Sequence, residues 1–140
     1  MSTEEKPEPT LKDLAKVWIS RFESCVRSRK YGFLSKLFHE HVVVMGLESN
    51  ICGNLDAAID KEFKQVWPHQ LVFTLDVAKT HIIPDAQSLM IIAPWSAKSV
   101  IVGSQPKQGR ITILLGIFEA GKLLALHLHI STNPVPNLNL

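Results

Sequence analysis

The last predicted strand constrains this chain most. Residues 123–132 read Leu-Leu-Ala-Leu-His-Leu-His-Ile-Ser-Thr. In an extended segment successive side chains point to opposite faces. Leu124, Leu126, Leu128 and Ile130 therefore share one face, and Leu123, Ala125, His127, His129 and Ser131 share the other. An all-aliphatic face of this kind is buried. The opposite face begins apolar and becomes a ladder of two imidazoles and a hydroxyl, with same-face neighbours roughly 6.5 Å apart. Such a strand needs partners on its edges and cover on both faces.

The partner strand is the segment Arg110 to Glu119, joined through Ala120-Gly121. Read as a two-residue turn, that junction sets Glu119 opposite Lys122, Leu115 opposite Leu126 and Thr112 opposite His129. One face then holds Ile113, Leu115, Ile117, Leu124, Leu126, Leu128 and Ile130; Thr112, Leu114, Gly116, Phe118 and the histidines hold the other. Both are too apolar for water. Helices are expected to cover one and a second copy of the chain the other, so a homodimer through the sheet is expected.

The helices come first. Thr10 has the chemistry of an N-cap, with Asp13 three residues on. Leu11, Leu14, Ala15, Trp18, Phe22, Cys25 and Val26 then recur at helical spacing to about Arg29. A short second helix is predicted after Gly32, and a β-branched strand over His41–Met45. After a Gly46–Gly53 loop, Asn54 caps a third helix that Pro68 ends. From Leu71 the pattern is strands: one over Leu71–Ile83, then Ser88–Ile92 and Ser99–Val102 as one long strand interrupted at Pro94, which a bulge or an edge position would accommodate. Helices followed by an antiparallel sheet make an α+β domain with the helices on one side. It is expected over residues 10–133, with a disordered lead-in at 1–9 and a loose tail at 134–140.

The formal charge is only +2 in 140 residues. Arg27, Arg29 and Lys30 sit at a predicted helix C-terminus, where positive charge complements the dipole, so no nucleic-acid partner is expected. No stretch approaches the ~20 apolar residues of a membrane span. An acidic, polar N-terminus unlike a secretory signal and two cysteines, Cys25 and Cys52, read as reduced thiols, lead to a cytoplasmic expectation. Cys25 lies on the apolar helical stripe; Cys52 precedes Gly53 in a turn, a place that leaves room for some exposure.

Three segments together resemble a known family: Val42–Met45 with Gly46, Gly53-Asn-Leu-Asp-Ala-Ala-Ile59, and Gly121-Lys-Leu through His127-Leu-His129-Ile-Ser131. Over roughly residues 10–133 the chain is similar to the SnoaL-like branch of the nuclear transport factor two/ketosteroid isomerase superfamily. The resemblance implies a cone-shaped, cystatin-like fold. In it a curved antiparallel sheet wraps the long helix and encloses a pocket at its open end. It also implies frequent dimers, and members that transform small molecules or bind partners without catalysis. The chain departs from the pattern in places. His39-Glu40-His41 stands where many relatives carry an Asp, and Leu123 where an aromatic is usual. The one tyrosine, Tyr31, sits at a helix junction, so the tyrosine-plus-carboxylate set of the steroid isomerases is not recoverable.

Two functional readings follow. In the first, the domain binds an apolar small molecule and acts on it by acid–base chemistry of isomerase, cyclase, dehydratase or hydrolase type. His127 and His129 are the titratable groups and Asp76 a possible partner, because a mid-strand carboxylate has to be paired or placed in a polar cavity. Trp18, Met45, Trp95, Thr112, Leu114 and Ser131 would line the pocket. In the second, it is a non-catalytic homodimerisation or ligand-sensing module. Neither needs a cofactor. No metal is expected: His39/His41 and His127/His129 have bidentate spacing, but no spacing brings the required third ligand.

Overall fold

A computed structural model describes residues 9–48 and 50–133. The expectations for residues 1–8 and for the 134–140 tail lie outside the described residues. Helix α1 spans Leu11–Ser28 and starts where predicted. The Thr10 hydroxyl accepts the Asp13 amide at 3.1 Å, and the Asp13 carboxylate accepts the Thr10 amide at 3.0 Å. This reciprocal pair satisfies two donors that the helix itself leaves free. Arg29 closes the helix in the left-handed region, with φ 58.

A 3-10 turn over Tyr31–Lys36 leads into strands β1 (Phe38–Met45) and β2 (Ile51–Cys52). Asn54 caps α2 (Leu55–Ala57), its side chain accepting the Ala57 amide at 2.8 Å. The helix then widens into a π-helical turn over Ala58–Phe63. Five strands follow: β3 (Gln70–Leu75), β4 (His81–Pro84), β5 (Ser88–Ser99), β6 (Lys107–Ile117) and β7 (Leu123–Thr132). The sheet order is β2-β1-β7-β6-β5-β3, with β4 also paired to β5. Helices and a curved, unclosed sheet make the expected α+β arrangement. The sheet is mixed rather than wholly antiparallel, because β1 runs parallel to β7. Nearly the whole domain lies between these two strands, which removes the usual need for a dedicated crossover.

The predicted Leu71–Ile83 strand is two strands. Asp76 ends the first by capping a 3-10 turn over Val77–Lys79, its carboxylate accepting the Lys79 amide at 3.3 Å. This break also explains Pro94. Strand β5 runs through the proline without interruption. Its carbonyl accepts the Asp76 amide at 3.0 Å, so the edge that lacks an N–H faces the gap between β3 and β4. The predicted Ser99–Val102 segment is a strand only at Ser99; Val100, Ile101 and Val102 form an exposed loop.

The α1 stripe packs on the concave face of the sheet through a cluster of aromatic rings. Phe22 lies at its centre, 5.2 Å from Trp18, 5.7 Å from Phe38 and 5.8 Å from Trp67 between centroids. Phe63 and Phe73 meet it edge-on, a geometry that aromatic quadrupoles favour. Cys25 is buried as expected, and Cys52, in its turn, is buried too.

Candidate functional site

The β6–β7 hairpin decides where the histidines go. Its loop has three residues, not two: the Phe118 amide bonds to the Lys122 carbonyl at 2.8 Å, and Ala120 and Gly121 both take positive φ. Leu115 therefore opposes Ala125, one residue out of the predicted register. Further along, Leu114 opposes His127, which leaves Leu126 without a partner as a β-bulge. The bulge cancels the longer loop, and Thr112 opposes His129 as predicted.

One extra residue changes face membership. Leu123 and Ala125 join Leu128 and Ile130 in the core, and Leu124 and Leu126 join His127, His129 and Ser131 on the opposite, outer face. Thr112, Leu114 and Met45 stand on that outer face as well, with Met45 beside His129 across the parallel pair. His127 and His129 are thus on the side of the sheet turned away from the helices.

Trp18 and Trp95 point the other way and are part of the filled interior. The Trp18 indole donates to the Leu37 carbonyl at 3.0 Å, and the Trp95 indole to the Ser131 carbonyl at 3.0 Å. Asp76 joins neither set. Three strand spacings separate its strand from β7, or roughly 14 Å. The residues expected at one site therefore fall into three places: outer face, core and strand break.

A buried carboxylate that sequence reading missed lies in the π-helical turn after α2. Glu62 has no exposed surface. One carboxylate oxygen accepts the Trp67 indole N–H at 2.7 Å and the Leu47 amide at 2.9 Å. The other has no protein partner. At ideal α-helical spacing Glu62 stands on the apolar stripe of Leu55, Ala58, Ile59 and Phe63, seven residues after the first and three after Ile59. The π-turn that carries it closes with the Lys64 amide on the Ile59 carbonyl at 2.9 Å. Its place on that stripe was one available signal, and the Trp67 indole was another, since a buried indole N–H needs an acceptor.

At one end of the sheet a cleft of about 480 Å³ opens between the segment 66–70, the β5–β6 loop and the last residue of β7. Leu47 and Val66 form its inner wall, Gln70 and His69 one side, and Val100, Ile101 and Ser104 the loop side; Glu48 and Lys107 carry its opposed charges.

No family model matches the sequence, and no curated protein matches it. Solved structures do. A nuclear transport factor 2-like (NTF2-like) superfamily protein of Salmonella enterica serovar Typhimurium superposes with a TM-score of 0.74 at 13% identity, covering 91% of this chain and 94% of its own. The fold is NTF2-like. An NTF2-like protein from Cytophaga hutchinsonii has a TM-score of 0.72 at 8% identity, covering 89% of this chain and 99% of its own. A Nostoc punctiforme protein of unknown function with a cystatin-like fold has a TM-score of 0.71 at 12% identity, covering 91% and 96%. At these identities the likeness concerns the backbone.

Within this NTF2-like domain the two thiols are held protonated. Burial pushes Cys25 up, and burial followed by the nearby Glu62 carboxylate pushes Cys52 up. Among the described residues no three histidine, cysteine or carboxylate side chains gather where a metal ion would bind, and no helix is long and apolar enough to cross a membrane.

Proposed function

We propose that this NTF2-like domain is a non-catalytic pairing module, a homodimer formed by the outer faces of two sheets. One observation carries the reading: the outer face bears apolar side chains on every strand from β1 across to β4. Val43, Met90 and Phe118 are each more than a third exposed and Ile83 about half, and between them Leu114, Leu124 and Leu126 are half-buried. Phe118 and Leu126 close over Gly116, where a Cβ would come within 2.8 Å of the ring. His39 stacks on Phe118 with centroids 5.5 Å apart. Contiguous apolar surface of this kind marks an interface, and a sheet face matches itself about a two-fold axis. His127, between Val43 and Leu114, then lies within the interface rather than against a substrate. Two buried free thiols support a reducing, cytoplasmic setting.

Light scattering tests the pairing. The wild type should have twice the chain mass, and Leu114→Lys, which puts a charge in mid-face, should give a folded monomer. A wild type that is monomeric at micromolar concentration would sink the reading.

A second reading keeps acid–base chemistry on an apolar small molecule. Its support is the solvent access of His129, with Thr112 directly opposite on β6; Asp76 is outside that set. A ligand-shift screen on wild type and His127→Ala tests it. A stabilising ligand whose effect survives the substitution argues against a role for His127.

A further inference from the structure

Five of the six histidines lie in strands: His39 and His41 in β1, His81 in β4, and His127 and His129 in β7. All five stand on the outer face. Val42 and Val44 point into the core, which turns His41, Val43 and Met45 outward. His39 stacks on Phe118 of the same face, with its ring centroid 5.4 Å from that of His41. His81 pairs with Ile92, which faces outward between the buried Ile91 and Ala93. Only His69, in the turn before β3, lies elsewhere. Acid is nearly missing from the same sheet. Among the described residues Glu40 is the one aspartate or glutamate in any strand, against Lys98, Lys107 and Arg110. Its carboxylate lies 3.5 Å from the His41 imidazole, and both side chains are more than three-quarters exposed, so that pair contributes little. His127 has no counter-charge at all. It is half-buried between Val43 on β1 and Leu114 on β6. The ionisable groups around it are His129 on its own strand, His41 and Glu40 further along β1, and Arg110 on β6, opposite Ser131. Only Glu40 is acidic, and it already lies against His41. About a two-fold axis a second copy presents the same set. A protonated imidazole in mid-face would then leave water without an acceptor and meet charge of its own sign, which is costly. Proton and partner compete for this face.

We propose that protonation of the outer-face histidines, His127 above all, separates the paired copies, so that the domain is paired at neutral pH and single in weak acid. The inference rests on the pairing reading and names what regulates it. Separate copies bind more protons than the pair does. Pairing is therefore complete above the ordinary imidazole value of about 6.5 and is lost as pH falls below it. With one His127 in each copy, two protons leave on pairing. The dissociation constant should then rise about a hundredfold between about pH 7.5 and about pH 5.5. His41, His81 and His129 are exposed at positions nearer the margins of the face and add less. Cys25 and Cys52, raised above 9.0, and Asp13, held below 3.8, change charge outside that window.

Sedimentation equilibrium of the full chain at the two pH values measures the constants, with circular dichroism at each to follow the fold. Wild type should weaken about a hundredfold in acid. His127→Gln, uncharged at both pH values, should pair at neutral pH and lose most of the dependence. His69→Gln, off the face, should keep all of it. A wild type that is monomeric at about pH 7.5 would overturn the pairing reading and this inference together. A dimer with equal constants at the two pH values would overturn the inference and leave the pairing standing. So would a His127→Gln dimer that keeps the wild-type dependence, or a loss of helix signal that precedes the loss of pairing. If His127→Gln does not fold, the ring resonances of wild type decide. His127 should take up its proton in step with dissociation, and protonation completed while the copies are still paired would overturn the proposal.

Discussion

The Glu62 carboxylate lies against the α-carbon of Gly46, in the space that a side chain at residue 46 would fill. The glycine is what lets a helix carboxylate reach the Leu47 amide on the chain leaving β1. The two positions should therefore respond together. Glu62→Gln keeps an oxygen for Trp67 and Leu47 and removes a buried charge, so its stability should equal or exceed the wild type. Glu62→Ala strands two buried donors and should cost about 3 kcal/mol. Gly46→Ala drives a methyl group into the carboxylate and should cost about 2 kcal/mol. Urea denaturation measures all three.

Gly109 is constrained in a similar way. The Trp95 indole crosses β6 above it to reach the Ser131 carbonyl, and a Cβ at residue 109 would collide with that carbonyl and come within 2.8 Å of the indole nitrogen. Gly109→Ala should cost about 2 kcal/mol. Trp95→Phe should cost stability and give the Ser131–Thr132 end of β7 faster amide exchange, which hydrogen-exchange measurements read directly.

Acid should loosen the start of α1. Hydrogen bonds from the Thr10 amide and hydroxyl hold the Asp13 carboxyl below its ordinary value of 3.8. A folded-state value below the unfolded one contributes stability above the unfolded value and loses it as pH falls through the folded one. The protection of the Thr10 and Asp13 amides, taken relative to their intrinsic exchange rates at each pH, should therefore fall on acidification, and Asp13→Asn should flatten that dependence.

Alkali should loosen the core. Cys25 and Cys52 are both raised above the ordinary thiol value of 9.0, chiefly by burial. The unfolded chain then loses these protons at lower pH than the folded one. Their contribution is complete below the unfolded value and is lost as pH rises from about 9.0 through the folded values. Thermal melts across that range should show falling stability, with a shallower fall in Cys52→Ser than in wild type. At neutral pH, iodoacetamide should modify the native protein far more slowly than the unfolded chain.

How much of this was legible in the sequence depends on the range of the forces involved. The capping box of α1, its Arg29 end and the Asn54 cap rest on contacts within three or four residues, and they were read correctly. The pairing of Thr112 with His129 was also read correctly, although by cancellation: the loop is one residue longer than supposed, and the Leu126 bulge restores the register. The split at Asp76 was missed because an alternating apolar pattern continues across it. The side chain chose a local cap over the strand, and Pro94 on the neighbouring strand allowed that choice.

The sequence by itself determined that β7 needs cover on both faces, that helices precede a sheet, and that α1 is a single amphipathic helix. Tertiary structure alone decided which face the histidines occupy, since a single bulge exchanges the faces of a strand whose side chains repeat every two residues. It also decided that the cone is filled. Trp18, Phe22, Phe38, Phe63 and Trp67 are apolar at positions any core would use, and only their convergence from four elements shows that they occupy the interior themselves. The buried Gln70 came to light for the same reason. Burial of a polar group results from neighbours distant in sequence, and one-dimensional periodicity carries no trace of them.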